Sequence, residues 1–191
     1  MPRWVPNAIS IFRIALVPLW VTLGFLAASS PQRGGDLRGV LLAVLVVLGA
    51  SDLLDGFVAR RYDLTSNLGA ALDAVADKLA QIAMVTFLTL VEAPPLLRLP
   101  WWLIVVLLSR DLLLATGWAW IRLRHGEVKV RHDWHGKAAS SLLFLVVLLA
   151  IGGWWPVHIE ALSAAVALFV VPSTIAYLRE GVRQLRRREA K

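Results

Sequence analysis

Between Ser51 and Ala80 the chain reads SDLLDGFVARRYDLTSNLGAALDAVADKLA, which sets Asp52, Asp55, Asp73 and Asp77 in a sequence that is otherwise largely membrane-like. A charged side chain at membrane depth is costly and marks a functional site by default. Four of them so close together need a common partner. Asp52 and Asp55 stand at i and i+3 and share one helix face, while Gly69, Asp73 and Asp77 stand at i, i+4 and i+8 and share another. A turn at Tyr62 to Ser66 separates the two faces, with Thr65 or Ser66 suited to cap the second helix. Two neighbouring antiparallel helices thus aim four carboxylates at one point near the cytoplasmic surface.

Hard oxygen donors suit Mg²⁺ or Mn²⁺ rather than zinc or copper. Two such ions a few ångströms apart clamp the oxygens of a phosphoryl transfer, so the expected occupant is a pair of divalent cations holding a diphosphate. Left without cations, the four carboxylates would repel one another and some would stay protonated. The bland alternative is a solvated acidic cap, or ion pairs with Arg60, Arg61 and Lys78. Gly56 and Ala59 are small and leave room for something bulky beside the helix, and Arg60 is placed to pair with a phosphate.

With 191 residues and a hydrophobic fraction of 58%, the chain has the length of one domain and not the composition of a soluble one. Six apolar segments approach the roughly 20 residues that span a bilayer: about 8–28, 38–60, 66–91, 101–123, 137–153 and 157–178. The expected fold is an all-α polytopic membrane bundle of six transmembrane helices in a single domain, 1–191. The first segment has no cleavage pattern of a secretory signal and reads as a helix that stays in place.

The net charge of +7 sits between apolar segments and in the tail, which argues against nucleic acid as a partner. An even number of spans puts both ends on one side, and that side carries 14 of the 20 Lys and Arg residues. The opposite loops carry only Arg33, Arg38 and Arg98. Both termini are therefore expected in the cytoplasm, with Trp101-Trp102 and Trp154-Trp155 anchoring the outer interface. Arg13, one to two turns into the first segment, has two readings: it snorkels to the headgroups, or it reaches an anionic ligand. The absence of cysteine removes disulfides, zinc thiolates and a thiol nucleophile.

The spacing D-x₂-D-G-x₂-A-R-x₈-G-x₃-D-x₃-D, filled by Asp52, Asp55, Gly56, Ala59, Arg60, Gly69, Asp73 and Asp77, resembles the signature of the CDP-alcohol phosphatidyltransferases. Six spans with the motif across the second and third are also that family's layout. The resemblance implies a multi-pass enzyme of the cell membrane, with its active site on the cytoplasmic side. It would use Mg²⁺ or Mn²⁺ to transfer a phosphatidyl group from CDP-diacylglycerol to an alcohol, releasing CMP. Asp52, Asp55, Asp73 and Asp77 would hold the metals, and Asp77 would be the general base. Asp52, Gly56, Ala59, Arg60 and Gly69 would form the CDP site, and the protein would be a homodimer.

For the acceptor, Arg110 lies inside the fourth segment and needs an anionic partner. Asp111 is about 100° away round the helix and is expected to serve it poorly. Arg110 is thus a candidate for an acceptor phosphate, together with Arg131 and Lys137 from the loop RLRHGEVKVRHDWHGKAAS. The basic loop also reads as charge attracted to anionic membrane lipids. The opening PNAISIFR, the motif and the His-Gly-Lys turn are similar to the phosphatidylglycerophosphate synthase branch, whose acceptor is glycerol 3-phosphate, and this is the first expectation. SRDLLL also resembles the cardiolipin synthases, whose acceptor is phosphatidylglycerol; an inositol-phosphate acceptor is a third reading. From another class, a cation transporter would use such an acid cluster, but it would gain nothing from Arg60 beside it.

Overall fold

The computed structural model describes residues 5–30, 32, 34–61, 67–125 and 134–189. Every regular element among these residues is helical: α1 (Val5–Ser29), α2 (Gly34–Arg61), α3 (Asn67–Leu90), α4 (Trp101–His125), α5 (Trp134–Gly152) and α6 (Ile159–Glu189), with a 3₁₀ turn at Pro156–His158 before α6. The six apolar segments read from the sequence correspond to these helices one for one. Two stretches, Asn7–Ser29 and Pro156–Arg179, are by length and composition apolar enough to cross a membrane, and Ala138–Gly152 is a shorter apolar run. In α2, α3 and α4 charged residues break the apolar run.

The helices display large apolar side chains outward. Ile11, Phe12, Leu19, Phe25 and Leu26 are exposed on α1, and Leu168, Val171, Ile175 and Leu178 on α6. Exposed apolar surface on this scale marks contact with lipid or protein rather than water. Hydroxyl groups turn back onto their own helices: Thr22 Oγ1 donates to Pro18 O (2.8 Å), Thr89 Oγ1 to Val85 O (2.7 Å), and Ser163 Oγ to Ile159 O (2.7 Å). A hydroxyl far from water finds its acceptor this way. Thr22 thus binds the carbonyl of Pro18, a proline inside α1.

The chain divides into two compact units. The first comprises Met1–Leu99 and Val147–Pro156, the second Pro100–Val146 and Val157–Lys191.

In the first unit, α1 packs on both α2 and α3. The fully buried Trp20 donates its indole N–H to Leu41 O at 3.1 Å, which ties α1 to α2. Phe87 of α3 meets Trp20 and Phe25 edge to face, with ring centroids 5.4 and 5.3 Å away. Gly24 lies over the Phe87 ring, where a Cβ would stand 2.7 Å from the ring carbon Cζ.

Past α3 the chain is held at one end of this unit. Leu99 N–H donates to Leu88 O (2.9 Å) and Leu97 N–H to Ala150 O (2.8 Å). Helix α5 closes in a Schellman motif: Gly153 takes φ +64°, its N–H donates to Ala150 O, and Trp154 N–H donates to Leu149 O. Two arginines finish the carbonyls at helix C-termini, Arg38 on Gly152 O (3.3 Å) and Arg98 on Thr89 O (3.1 Å). Cationic groups are favourable at that end of a helix.

In the second unit, α4 packs on α6. Leu103 and Leu107 are buried on α4, and Ser163, Val166, Val170 and Ser173 on α6, a spacing of three to four residues that gives each helix one buried stripe.

Candidate active site

The acid cluster forms in the first unit around a residue of α1. Arg13 is 3% exposed, although it sits in an apolar helix. Its Nη1 lies 2.9 Å from Asp52 Oδ1 and 2.6 Å from Asp73 Oδ1, and its Nη2 pairs with Asp77 Oδ1. One guanidinium therefore gathers three carboxylates, one from α2 and two from successive turns of α3. The planar fork of arginine offers several donors at fixed angles, which a lysine cannot do.

Helix geometry accounts for the convergence. Asp73 and Asp77 are one turn apart on α3, so both face α1. The Trp20, Gly24 and Phe87 contact holds α1 against α3 further along the same two helices. The carboxylates are not sealed in. The side chains of Asp52, Asp73 and Asp77 are 40%, 41% and 53% exposed, so each has one flank on Arg13 and another open to approach. Three carboxylates against one guanidinium leave these four side chains two negative charges in excess.

This donor set fits a hard divalent ion: it is all oxygen, net negative and open on one side. Among the described residues no three acids close on a single point as an ion cage; they stand around the wider guanidinium instead. From the sequence Arg13 has two readings, headgroup snorkelling and an anionic ligand. Its place in the structure is neither, since its anionic partners are the aspartates themselves. The signal lay in the sequence: one arginine inside an apolar segment, and a cluster of acids in need of positive charge.

The other site candidates fall as follows. Asp55, Gly56, Ala59 and Arg60 belong to helix α2, but their side chains, like that of Arg61, lie outside the described residues. Gly69 is half-buried in α3, one turn before Asp73. Arg131 and the turn at 62–66 lie outside the described residues, as does the side chain of Lys137 in the first turn of α5.

Arg110 belongs to the second unit, with its side chain 14% exposed and its Nη1 3.5 Å from Asp111 Oδ1. The contact is long and Arg110 Nε is buried without a hydrogen-bond partner, so Asp111 serves Arg110 poorly, as the sequence reading has it.

The family model of the CDP-alcohol phosphatidyltransferases matches residues 3–175. The chain is 37% identical over 161 residues to cardiolipin synthase (CMP-forming) of Streptomyces coelicolor, covering 82% of this chain and 70% of that protein. It is 25% identical over 182 residues to CDP-diacylglycerol–glycerol-3-phosphate 3-phosphatidyltransferase of Haemophilus influenzae, covering 92% and 91%. Against the protein of the same name from Escherichia coli K12 it is 26% identical over 175 residues, covering 90% and 87%. With α2 and α3 carrying the aspartate signature and a family match that runs from the start of α1 into α6, the chain belongs to the CDP-alcohol phosphatidyltransferase family.

Proposed function

We propose that this protein transfers the phosphatidyl group of CDP-diacylglycerol to an alcohol at the cytoplasmic face of the cell membrane, releasing CMP. The observation that carries the reading is the meeting of Asp52, Asp73 and Asp77 on one buried guanidinium, within a chain of this family. The six helices would be six spans of a single membrane domain with both termini in the cytoplasm, paired as a homodimer. The basic-residue asymmetry, the outward apolar faces and the exposed Trp101, Trp154 and Trp155 support that topology.

Asp52, Asp55, Asp73 and Asp77 would hold two divalent ions, Mg²⁺ or Mn²⁺. Such ions, when bound, neutralise the diphosphate and the departing CMP. Asp77 accepts the proton of the acceptor hydroxyl as its oxygen bonds to the phosphorus that bears diacylglycerol. The bond from that phosphorus to the CMP oxygen breaks, and its electron pair leaves with CMP. Gly56, Ala59 and Arg60 line the CDP site, Arg60 steadying a phosphate, while Gly69 lets the helices approach. Positioning and fixed charge supply most of the catalysis.

For the acceptor, the higher identity is to a protein named cardiolipin synthase, and SRDLLL in α4 points the same way. Phosphatidylglycerol is therefore placed ahead of glycerol 3-phosphate, which keeps the support of the PNAISIFR opening and the His-Gly-Lys turn. The deciding experiment is CMP release by the purified protein with CDP-diacylglycerol and Mg²⁺, offering phosphatidylglycerol, glycerol 3-phosphate and inositol phosphate in turn. Release with phosphatidylglycerol alone is expected. Release with glycerol 3-phosphate alone reverses the order, and no CDP-lipid binding at all sinks the transferase reading.

Arg110, with Arg131 and Lys137, would hold the acceptor phosphate. Arg110→Ala is accordingly expected to raise KM for the acceptor about tenfold or more, as loss of a charge-assisted hydrogen bond does, with less change for CDP-diacylglycerol. Equal changes in both constants would make Arg110 structural.

A further inference from the structure

We infer that Arg13 is the resident cation of the acid cluster and exchanges with the divalent ion, guanidinium and metal holding the same carboxylate oxygens by turns. The inference rests on the metal site proposed above. Its starting point is which atoms are engaged: Arg13 binds Oδ1 of Asp52, of Asp73 and of Asp77. These oxygens lie on the inner side of the cluster, toward α1, and three carboxylates drawing together on one ion would use them.

Arginine cannot resolve the conflict by losing a proton. An ion that takes Oδ1 of Asp52, Asp73 and Asp77 competes with Arg13 for the same oxygens, so the guanidinium must withdraw when the ion enters. The arrangement also has a reason to exist without the ion. Arg13 is buried in an apolar helix, where an unpaired charge is costly. The three aspartates are mutually repulsive without a counter-charge. Each side needs the other until metal arrives, and the cost of separating them is taken out of metal affinity. When the competent state is only a fraction of the population, the apparent dissociation constant rises by the inverse of that fraction. An Arg13 engaged nine-tenths of the time therefore weakens metal binding about tenfold.

The test is Mn²⁺ binding to the full-length protein in detergent without lipid substrate, read from the electron paramagnetic resonance signal of free Mn²⁺. Melting temperature is recorded in EDTA and in Mn²⁺. Arg13→Gln is expected to tighten Mn²⁺ binding by about tenfold or more. It should also lower the melting temperature in EDTA and widen the gain on adding Mn²⁺.

Unchanged or weaker Mn²⁺ binding by Arg13→Gln, while Asp73→Asn weakens binding, overturns the exchange and leaves the metal site standing. Absence of saturable Mn²⁺ binding in both wild type and Arg13→Gln sinks the metal site itself. Should Arg13→Gln not fold in EDTA, Arg13→Lys carries the same test. It keeps the charge but has no fork to bridge three acids, so it is expected to bind Mn²⁺ more tightly than wild type; no tightening overturns the exchange.

Discussion

Asp77→Asn is expected to reduce CMP release by about 10²–10⁴-fold, the usual contribution of a positioned general base, while CDP-diacylglycerol binding stays within a few-fold of wild type. Asparagine keeps the size of the side chain and one oxygen toward the cluster but cannot take a proton. The fold should tolerate the change, because Arg13 keeps Asp52 and Asp73 through Nη1 and loses only the charged partner of Nη2. Asp77 is also the most exposed of the three acids, at 53%, which suits contact with an incoming hydroxyl. Single-turnover CMP release measured beside lipid binding checks this. Wild-type turnover would remove Asp77 from the role of base, and a matching loss of binding would make it chiefly a ligand holder.

Gly24→Val is expected to damage the fold rather than the chemistry. The new Cβ would sit 2.7 Å from Cζ of Phe87 and 3.0 Å from two further ring carbons. A long flexible side chain could give way, but this ring is 4% exposed and meets Trp20 and Phe25 at edge-to-face distances. The strain must then separate α1 from α3, the same helices that bring Arg13 to Asp73 and Asp77. Overpacking of this kind costs about 1–3 kcal/mol, a fall of roughly 3–10 °C in melting temperature for a chain of this length. Thermal unfolding in detergent measures it, with Gly39→Val as control, since a Cβ at Gly39 meets nothing within 4 Å. Equal melting temperatures for the two variants would show that the Phe87 contact does not set the helix spacing.

The helices were legible because their apolar runs are long and their interruptions are few. The first segment, expected at about 8–28, forms Val5–Ser29, and the third, expected at about 66–91, forms Asn67–Leu90. The sixth was read to 178 but continues to Glu189. Its last turns, REGVRQLRRRE, are too charged for a hydropathy reading yet rich in good helix formers, so the helix outlasts its apolar character. At the site, periodicity placed Asp73 and Asp77 on one face. It could not place Arg13, because what brings that residue to the acids is the aromatic contact between α1 and α3, sixty residues apart in sequence.

The bonds that hold the first unit together are unevenly distributed along its length. Arg38 on Gly152, Arg98 on Thr89, Leu99 on Leu88 and Leu97 on Ala150 all lie at one end, and Arg13 with its aspartates lies toward the other. From Leu88 back to Asp73 the α3 axis is a rod about 22 Å long, at 1.5 Å per residue. A rod fixed at one end amplifies a small rotation: about 3° at the tied end moves the aspartate tip by about 1 Å. The unit is therefore tied by backbone and arginine bonds at the end away from the aspartates, so a small rotation there is enough to change the spacing of the acids.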